Sequence, residues 1–432
     1  MRVCVLGLWH LGTVTAACLA DHFDVVGWNP DAAIVRRLSE GTLPIAEPGL
    51  AELVGAGLAS NRLSFATDLA TSVQSADVTW VTFDTPVDEN DVADVEFVER
   101  HIVECFQHLG DDSVLLISSQ VPVGTCARLE ASLRECTQPS SVQLAYSPEN
   151  LRLRVAIERF RNPDRVVLGI RDPSARSRLA ELFAPFSQAL EWMSVESAEM
   201  AKHAVNAFLA TSISFTNELA SLCEVVGADA RDVERALRSE LRIGRQAYVS
   251  AGAAFAGGTL ARDVRFLTRL GDDTEIPALL FHAVSASNDA HKDWPRRKLR
   301  ELLPTIKDAH IAVLGLTYKP GTDTLRRSAS LELCGWLLER GAHVLAYDPA
   351  VRELPLQLSA VRMCTSPEDA LAGADAAVLA TEWPMFRSLT AETFVGTMRN
   401  AVVGDPNRFL GADVQDDDRI RYAAVGVPAR AL

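Results

Sequence analysis

The sequence predicts an α/β protein: two doubly wound domains joined by a helical domain with one long central helix. Three observations predict it. Near the N-terminus a β-rich run, a glycine turn, a helical pattern and a second β-rich run follow one another. A similar succession returns from residue 311. Between the two, residues 194–227 carry a helical apolar periodicity with no Gly or Pro before Gly227.

The first run, RVCVLGL (2–8), ends at a turn, a helix is expected from about Gly12 to Asp21, and FDVVGWN ends at Asn29. Strand, glycine turn, helix, strand is the opening of a Rossmann-like dinucleotide-binding unit. Its usual fingerprint is G-x-G-x-x-G; here it reads Gly7, Leu8, Trp9, His10, Leu11, Gly12, with Trp9 at the second glycine. Asn29 stands where an acidic residue would meet the adenosine ribose. Further strands are expected at 78–83, 113–119, 142–149 and 164–169. Turn or polar residues cluster at their carboxyl ends, where open α/β sheets bind ligands: Thr85-Pro86, Gln120-Val121-Pro122 and Pro148-Glu149.

The central helix, about 45–50 Å long at 1.5 Å per residue, begins near Glu196, Ser197 and Glu199 and stops at Gly227. Met200, Val205, Phe208, Leu209, Ile213, Phe215, Leu219 and Leu222 recur at three- and four-residue steps. Lys202 and Asn206 interrupt this apolar flank one turn apart, on one face. By spacing alone the plainer reading, a snorkelling lysine and an asparagine that caps a packing defect, stands ahead of a site. The chain is expected to stay helical to about Asp293, broken once by the Gly/Ala-rich loop Ser250–Thr259, with a linker or helix over 294–309.

The C-terminal third echoes the first. IAVLGLTY (311–318) resembles VCVLGLWH (3–10), and VLAYDPA (344–350) resembles VVGWNPD (25–31), with a Ser-initiated helix from about Ser328 to Arg340 between. The expected domains are 1–193, 194–295 and 296–432. Two nucleotide-type domains flanking a helical spine point to a two-ligand enzyme, with a cleft over Lys202 and Asn206.

The formal charge of −15, from 42 Lys+Arg against 57 Asp+Glu, argues against nucleic acid, which needs a basic face. The eight cysteines are scattered without CxxC or paired-His spacing, so no metal site is expected and the thiols fit a reducing cytoplasm. The N-terminal apolar run is broken by Gly7, His10 and Gly12, and no run approaches the ~20 apolar residues of a membrane span.

Read as a whole, the chain resembles the UDP-glucose/GDP-mannose dehydrogenase family over essentially its full length. The resemblance is carried by ordered motifs: Glu47-Pro48-Gly49-Leu50, Thr85-Pro86, Ser119-x-Val121-Pro122-Val123-Gly124-Thr125, Pro148-Glu149 and Asn162-Pro163-Asp164-Arg165. Lys202 and Asn206 follow, then Arg242-Ile243-Gly244, Tyr318-Lys319-Pro320 with Thr322, Asp323 and Arg326, and Thr381-Glu382-Trp383. Such enzymes carry out two NAD-linked oxidations at C6 of a nucleotide sugar, alcohol to aldehyde to acid.

The resemblance implies that Lys202, Asn206 and Asp263 handle charge and water at C6, with Glu149 as the base for the final hydrolysis. It implies cofactor contacts at Gly7, Trp9, His10, Leu11, Gly12, Asn29, Thr85, Pro86, Gln120 and Arg326. The nucleotide sugar, a UDP-sugar, would meet Glu149, Leu151, Arg152, Lys202 and Asn206. It would also meet Tyr248, Phe255, Gly257 and Lys319, with Arg242 supplied across a homodimer interface. The cofactor expected is NAD, since no basic residue immediately follows Asn29, although Arg36 or Arg37 lies within reach of a 2′-phosphate.

The departures are specific. The family's nucleophilic Cys, in a Gly-Gly-Ser-Cys-x-x-Lys-Asp loop, is Thr259, and its Lys is Arg262. Leu153 replaces the second Glu after Pro148-Glu149, Gln120 a Thr, Asn407 the Arg of a late Asp-Gly-Arg, and Ile34 a basic residue after Asn29. A thiolate can attack the aldehyde and become a thioester, whereas an aliphatic hydroxyl needs a strong adjacent base. Three readings therefore stay open: a dehydrogenase without thioester chemistry, yielding aldehyde or reaching acid through the hydrate; a member turned to another nucleotide sugar or nucleotide; and a non-catalytic NAD and nucleotide-sugar binder.

Overall fold

The computed structural model describes residues 1–428 apart from 46, 87–92, 137–140, 150, 152 and 256–257. The chain forms two compact units, 1–204 and 205–432.

The first unit is built on eight strands: β1 (Arg2–Leu6), β2 (Asp24–Trp28), β3 (Leu63–Ala66), β4 (Val78–Val81), β5 (Val114–Ile117), β6 (Gln143–Tyr146), β7 (Val166–Ile170) and β8 (Leu190–Met193). Their order is β3-β2-β1-β4-β5-β6-β7-β8. All neighbours are parallel except β6 and β7. A largely parallel sheet is covered on both faces. Accordingly Val3, Val5 and Leu116 join one apolar cluster, while Cys4, Leu6 and Leu115 join another. The order reverses between β1 and β4, the point where such sheets open a crevice at their carboxyl ends. The short strands β3 and β8, edge or near-edge with mixed burial, escaped the periodicity.

The spine helix runs Val195–Val226, 32 residues, so the expected 194–227 was right to within a residue. Its apolar flank is not what the chain buries. Met200, Val205, Phe208, Phe215 and Leu222 are exposed, while Ala198, Ala207, Ala210 and Ala220 are buried with the polar Glu199, His203, Asn206 and Asn217. Small residues let neighbouring elements approach closely, and that decided which face turns inward.

In the second unit the helix Ala230–Ser239 follows, then non-helical chain over 240–255 and at Gly258, before the helices Thr259–Asp273 and Leu279–His291. The break is longer than the expected Ser250–Thr259. Its backbone is pinned by side chains: Asn217 accepts from Gly252 N–H at 2.9 Å and Asn288 from Phe255 N–H at 2.9 Å. The uncertain stretch 294–309 opens as a helix, Trp294–Leu302, with Pro295 in its first turn where a missing N–H costs nothing.

Six parallel strands complete the unit: β9 (His310–Leu314), β10 (His343–Tyr347), β11 (Arg362–Met363), β12 (Ala376–Leu379), β13 (Val402–Gly404) and β14 (Arg421–Ala423), ordered β11-β10-β9-β12-β13-β14. Ser328 caps the helix Ala329–Glu339 by accepting from Ser330 N–H, as its sequence position predicts.

Candidate active site

The expected cofactor and acid–base residues of the first unit gather at one edge of its sheet. Gly7 follows β1, Asn29 follows β2, Thr85 comes after β4, Gln120 after β5 and Glu149 after β6. Those five strands are contiguous in the sheet.

The turn after β1 fits a dinucleotide. Gly7 has φ +95°, and a Cβ there would lie 2.6 Å from the Phe83 ring; a Cβ on Gly12 would overlap the Gly7 carbonyl oxygen. Both glycines are therefore required by space. The first helix, His10–Leu19, has no side-chain cap, so the N–H groups of its first turn remain for an anion. Trp9 sits at its N-cap with ordinary negative φ, and about half of its surface is exposed. Leu11 is buried. His10 Nε2 lies 3.0 Å from Glu47 Oε2.

Asn29 is buried, its Oδ1 accepting from Asp31 N–H at 2.9 Å. Thr85 Oγ1 donates to the Gln120 carbonyl at 2.6 Å, joining the loops after β4 and β5, and Pro86 is exposed beside it. Arg326, in the second unit, is exposed.

Two polar pairs hang from successive turns of the spine helix. In the first unit Lys202 Nζ donates to the Glu149 carbonyl at 2.6 Å. Glu149 Oε1 is enclosed and has no hydrogen-bond partner among the described residues. Burial pushes this carboxyl up to about 7; the Lys202 charge opposes the rise and Asp84 adds to it. In the second unit Asn206 Nδ2 donates to Asp263 Oδ2, and both residues are buried. The snorkelling reading fails for Lys202, whose ammonium turns onto a carbonyl of its own unit.

Thr259 is the first residue of the helix that carries Asp263 one turn later, and it is exposed. Seven of the eight cysteines are buried, and Cys136, at the end of the helix Thr125–Cys136, is exposed. Burial raises the thiols of Cys4, Cys18, Cys105, Cys126, Cys334 and Cys364, and Cys223 is itself buried. Among the described residues no group of three His, Cys, Asp or Glu could hold a metal.

The remaining substrate candidates are scattered in character. Leu151 packs against the core of the first unit. Arg242 lies in the turn after Ala230–Ser239, its side chain 88% exposed and paired with Glu240 at 2.9 Å. Tyr248 is exposed, Phe255 joins an apolar cluster with Ala207 and Val264, and Lys319 stacks on Tyr318 at 5.2 Å. Arg152 and Gly257 lie outside the described residues.

Sequence reasoning missed two features. Glu199, buried, accepts from Gly124 N–H at 2.7 Å and Cys126 N–H at 2.9 Å, while His203 Nε2 reaches the Val121 carbonyl at 3.0 Å. These two side chains clamp the 121–126 loop on either side of Lys202. Their i, i+4 spacing was the available signal. The second feature is a cavity of about 460 Å³ lined by Arg231, Arg235, Arg238 and Arg408 together with Ser250 and Asn407. The basic periodicity of helix 230–239 could have shown it.

Comparison with known proteins accounts for the layout. Residues 1–187 match the NAD binding domain of the UDP-glucose/GDP-mannose dehydrogenase family, residues 196–290 its central domain and residues 312–412 its UDP binding domain. The chain is 36% identical to a UDP-glucose 6-dehydrogenase of Rhizobium meliloti, covering 99% of this chain and 100% of that one. It is 35% identical to a UDP-glucose 6-dehydrogenase of Pseudomonas aeruginosa, covering 99% and 98%. The solved structure of a UDP-glucose dehydrogenase from Pyrobaculum islandicum superposes with a TM-score of 0.87 at 32% identity, covering 99% of this chain and 98% of that one.

Proposed function

Because the chain belongs to the UDP-glucose/GDP-mannose dehydrogenase family, an NAD-dependent oxidoreductase family, we propose that it oxidises C6 of a UDP-sugar, with UDP-glucose as the first candidate, without a covalent thioester. The observation that carries this reading is the pairing of Lys202 with Glu149 in the first unit.

NAD, when bound along Gly7–Gly12, supplies the hydride acceptor. The chain supplies the rest. Lys202 and Asn206 are the donors for the C6 oxygen, and the ammonium stabilises the alkoxide that develops as hydride leaves. At the aldehyde stage the enzyme lacks a thiol at position 259. Glu149, with a pKa near 7, then serves as base for water attack on the carbonyl, giving a hydrate that a second oxidation converts to acid. Its unpartnered Oε1 leaves an acceptor for that water.

The three-part organisation 1–193, 194–295 and 296–432 is proposed on the same ground. So is a homodimer: Phe208, Phe215, Leu222, Val225 and Val226 leave a continuous apolar flank of the spine helix exposed, and Arg242 is held away from its own fold. No helix among the described residues is long and apolar enough to cross a membrane. NAD dependence and eight unbridged cysteines favour the cytoplasm.

The decisive experiment incubates the enzyme with a panel of nucleotide sugars, each with NAD and with NADP, and identifies products by mass spectrometry. Reduction of NAD with UDP-glucose, giving aldehyde or acid at C6, supports the reading. Tight binding of both ligands without cofactor reduction on any sugar would instead establish a binding relative.

A further inference from the structure

The motif Glu47-Pro48-Gly49-Leu50 takes no part in the chemistry above, yet its glutamate is unusually well connected. Glu47 is buried, and its carboxylate accepts three hydrogen bonds. Oε2 takes one from His10 Nε2 at 3.0 Å and one from Arg154 N–H at 2.8 Å; Oε1 takes one from Ala156 N–H at 3.0 Å. A buried carboxylate is tolerated only with its oxygens satisfied in this way.

The donors come from two places of functional interest. His10 is the first residue of the helix that begins in the Gly7–Gly12 turn. Arg154 and Ala156 close the stretch that starts at Glu149. Arg154 has φ +76°, a left-handed conformation that strains a non-glycine residue. Such strain persists only where surrounding structure over-determines it, and here the carboxylate holds the Arg154 N–H. The motif fixes the carboxylate in turn: Gly49, at φ +81°, caps the helix Leu50–Ala59, and Leu50 N–H bonds the Glu47 carbonyl at 3.1 Å.

We propose that Glu47 is a positioning residue that couples the NAD turn to the sugar end of the substrate site. The cofactor turn reaches the carboxylate through His10, and the segment after Glu149 reaches it through two backbone N–H groups. Ordering either side fixes the same carboxylate, so each ligand lowers the ordering cost of the other. Such coupling is reciprocal and typically 5- to 150-fold, as a rough range. The inference rests on the proposed placement of the sugar at Glu149.

The test is isothermal titration of NAD into the wild-type enzyme and Glu47→Gln, with and without UDP-glucuronate, whose C6 is already a carboxylate and has no hydride to give. In the wild type the sugar acid is expected to tighten NAD by at least about 5-fold. In Glu47→Gln that ratio should fall towards one while each ligand alone still binds. A merely structural role would weaken both ligands and lower the melting temperature with the ratio unchanged, which overturns the proposal. If Glu47→Gln does not fold, His10→Ala cuts the cofactor side and leaves both backbone bonds; whatever it does to NAD binding alone, the ratio with and without UDP-glucuronate must fall towards one. Binding of both ligands to the wild type without coupling overturns the latch alone. Failure of UDP-glucuronate to bind the wild type overturns the placement of the sugar, and the latch with it.

Discussion

Lys202 donates to the backbone carbonyl of Glu149 and also moderates that residue's side chain: the ammonium lowers a carboxyl that burial raises to about 7. One cation thus anchors the segment that carries the base and opposes the rise that burial imposes on it. The helix around it is clamped at Glu199 and His203, so its position is fixed on both sides.

Lys202→Met removes a donor to the developing alkoxide. Turnover should fall by at least about 10²- to 10³-fold, as when one oxyanion-type donor is lost, while NAD binding persists. Stopped-flow absorbance of the reduced cofactor with UDP-glucose measures it. Unchanged turnover would remove Lys202 from the chemistry.

Glu149 should set the pH dependence of the second oxidation. As a base it must be deprotonated, so that phase should rise as pH climbs through about 7, and Glu149→Gln should abolish it while sparing the first. Stability runs the other way. A carboxyl whose folded pKa lies above its unfolded value contributes stability below the unfolded value and loses it as pH rises through the folded one. Glu149→Gln should therefore melt higher than wild type at pH 8, with the difference shrinking towards pH 5. Scanning calorimetry across that range decides it.

Thr259 should divide the reaction into two phases. The first oxidation needs a positioned alcohol, Lys202, Asn206 and the cofactor, but no thiol. One reduced cofactor per sugar should appear in a rapid phase, with an aldehyde trappable by hydroxylamine. A second should appear late through the hydrate. Two equivalents formed together at one rate, with acid as sole product, would contradict this account of Thr259.

The exposed apolar flank should be covered by a second copy. Light scattering at micromolar concentration should give a dimer, and Phe208→Glu should shift it towards monomer because it places a charge on that surface. Arg242→Ala should lower activity with the dimer intact. A fully active wild-type monomer would refute both.

Strand–turn–helix units, the spine helix and the ordered motifs were legible because they depend on local rules. Glycines at Gly7 and Gly12, a Ser cap at Ser328 and helical periodicity without Gly or Pro leave their mark within a few residues. The same locality made Thr259 visible as a departure.

Tertiary structure decided what depends on distant partners. Which face of the spine turns inward was set by small residues such as Ala207 and Ala210 packing closely, and the large apolar side chains of the periodic flank stand outside. The Glu149 pKa comes from enclosure and from Lys202, 53 positions away in the chain. Glu47 meets Arg154 107 residues later. Periodicity records how a segment meets the core, but hydrogen bonds and electric fields act through space. The identities of these residues were therefore fixed by sequence, while their chemistry arose only where the fold brought them together.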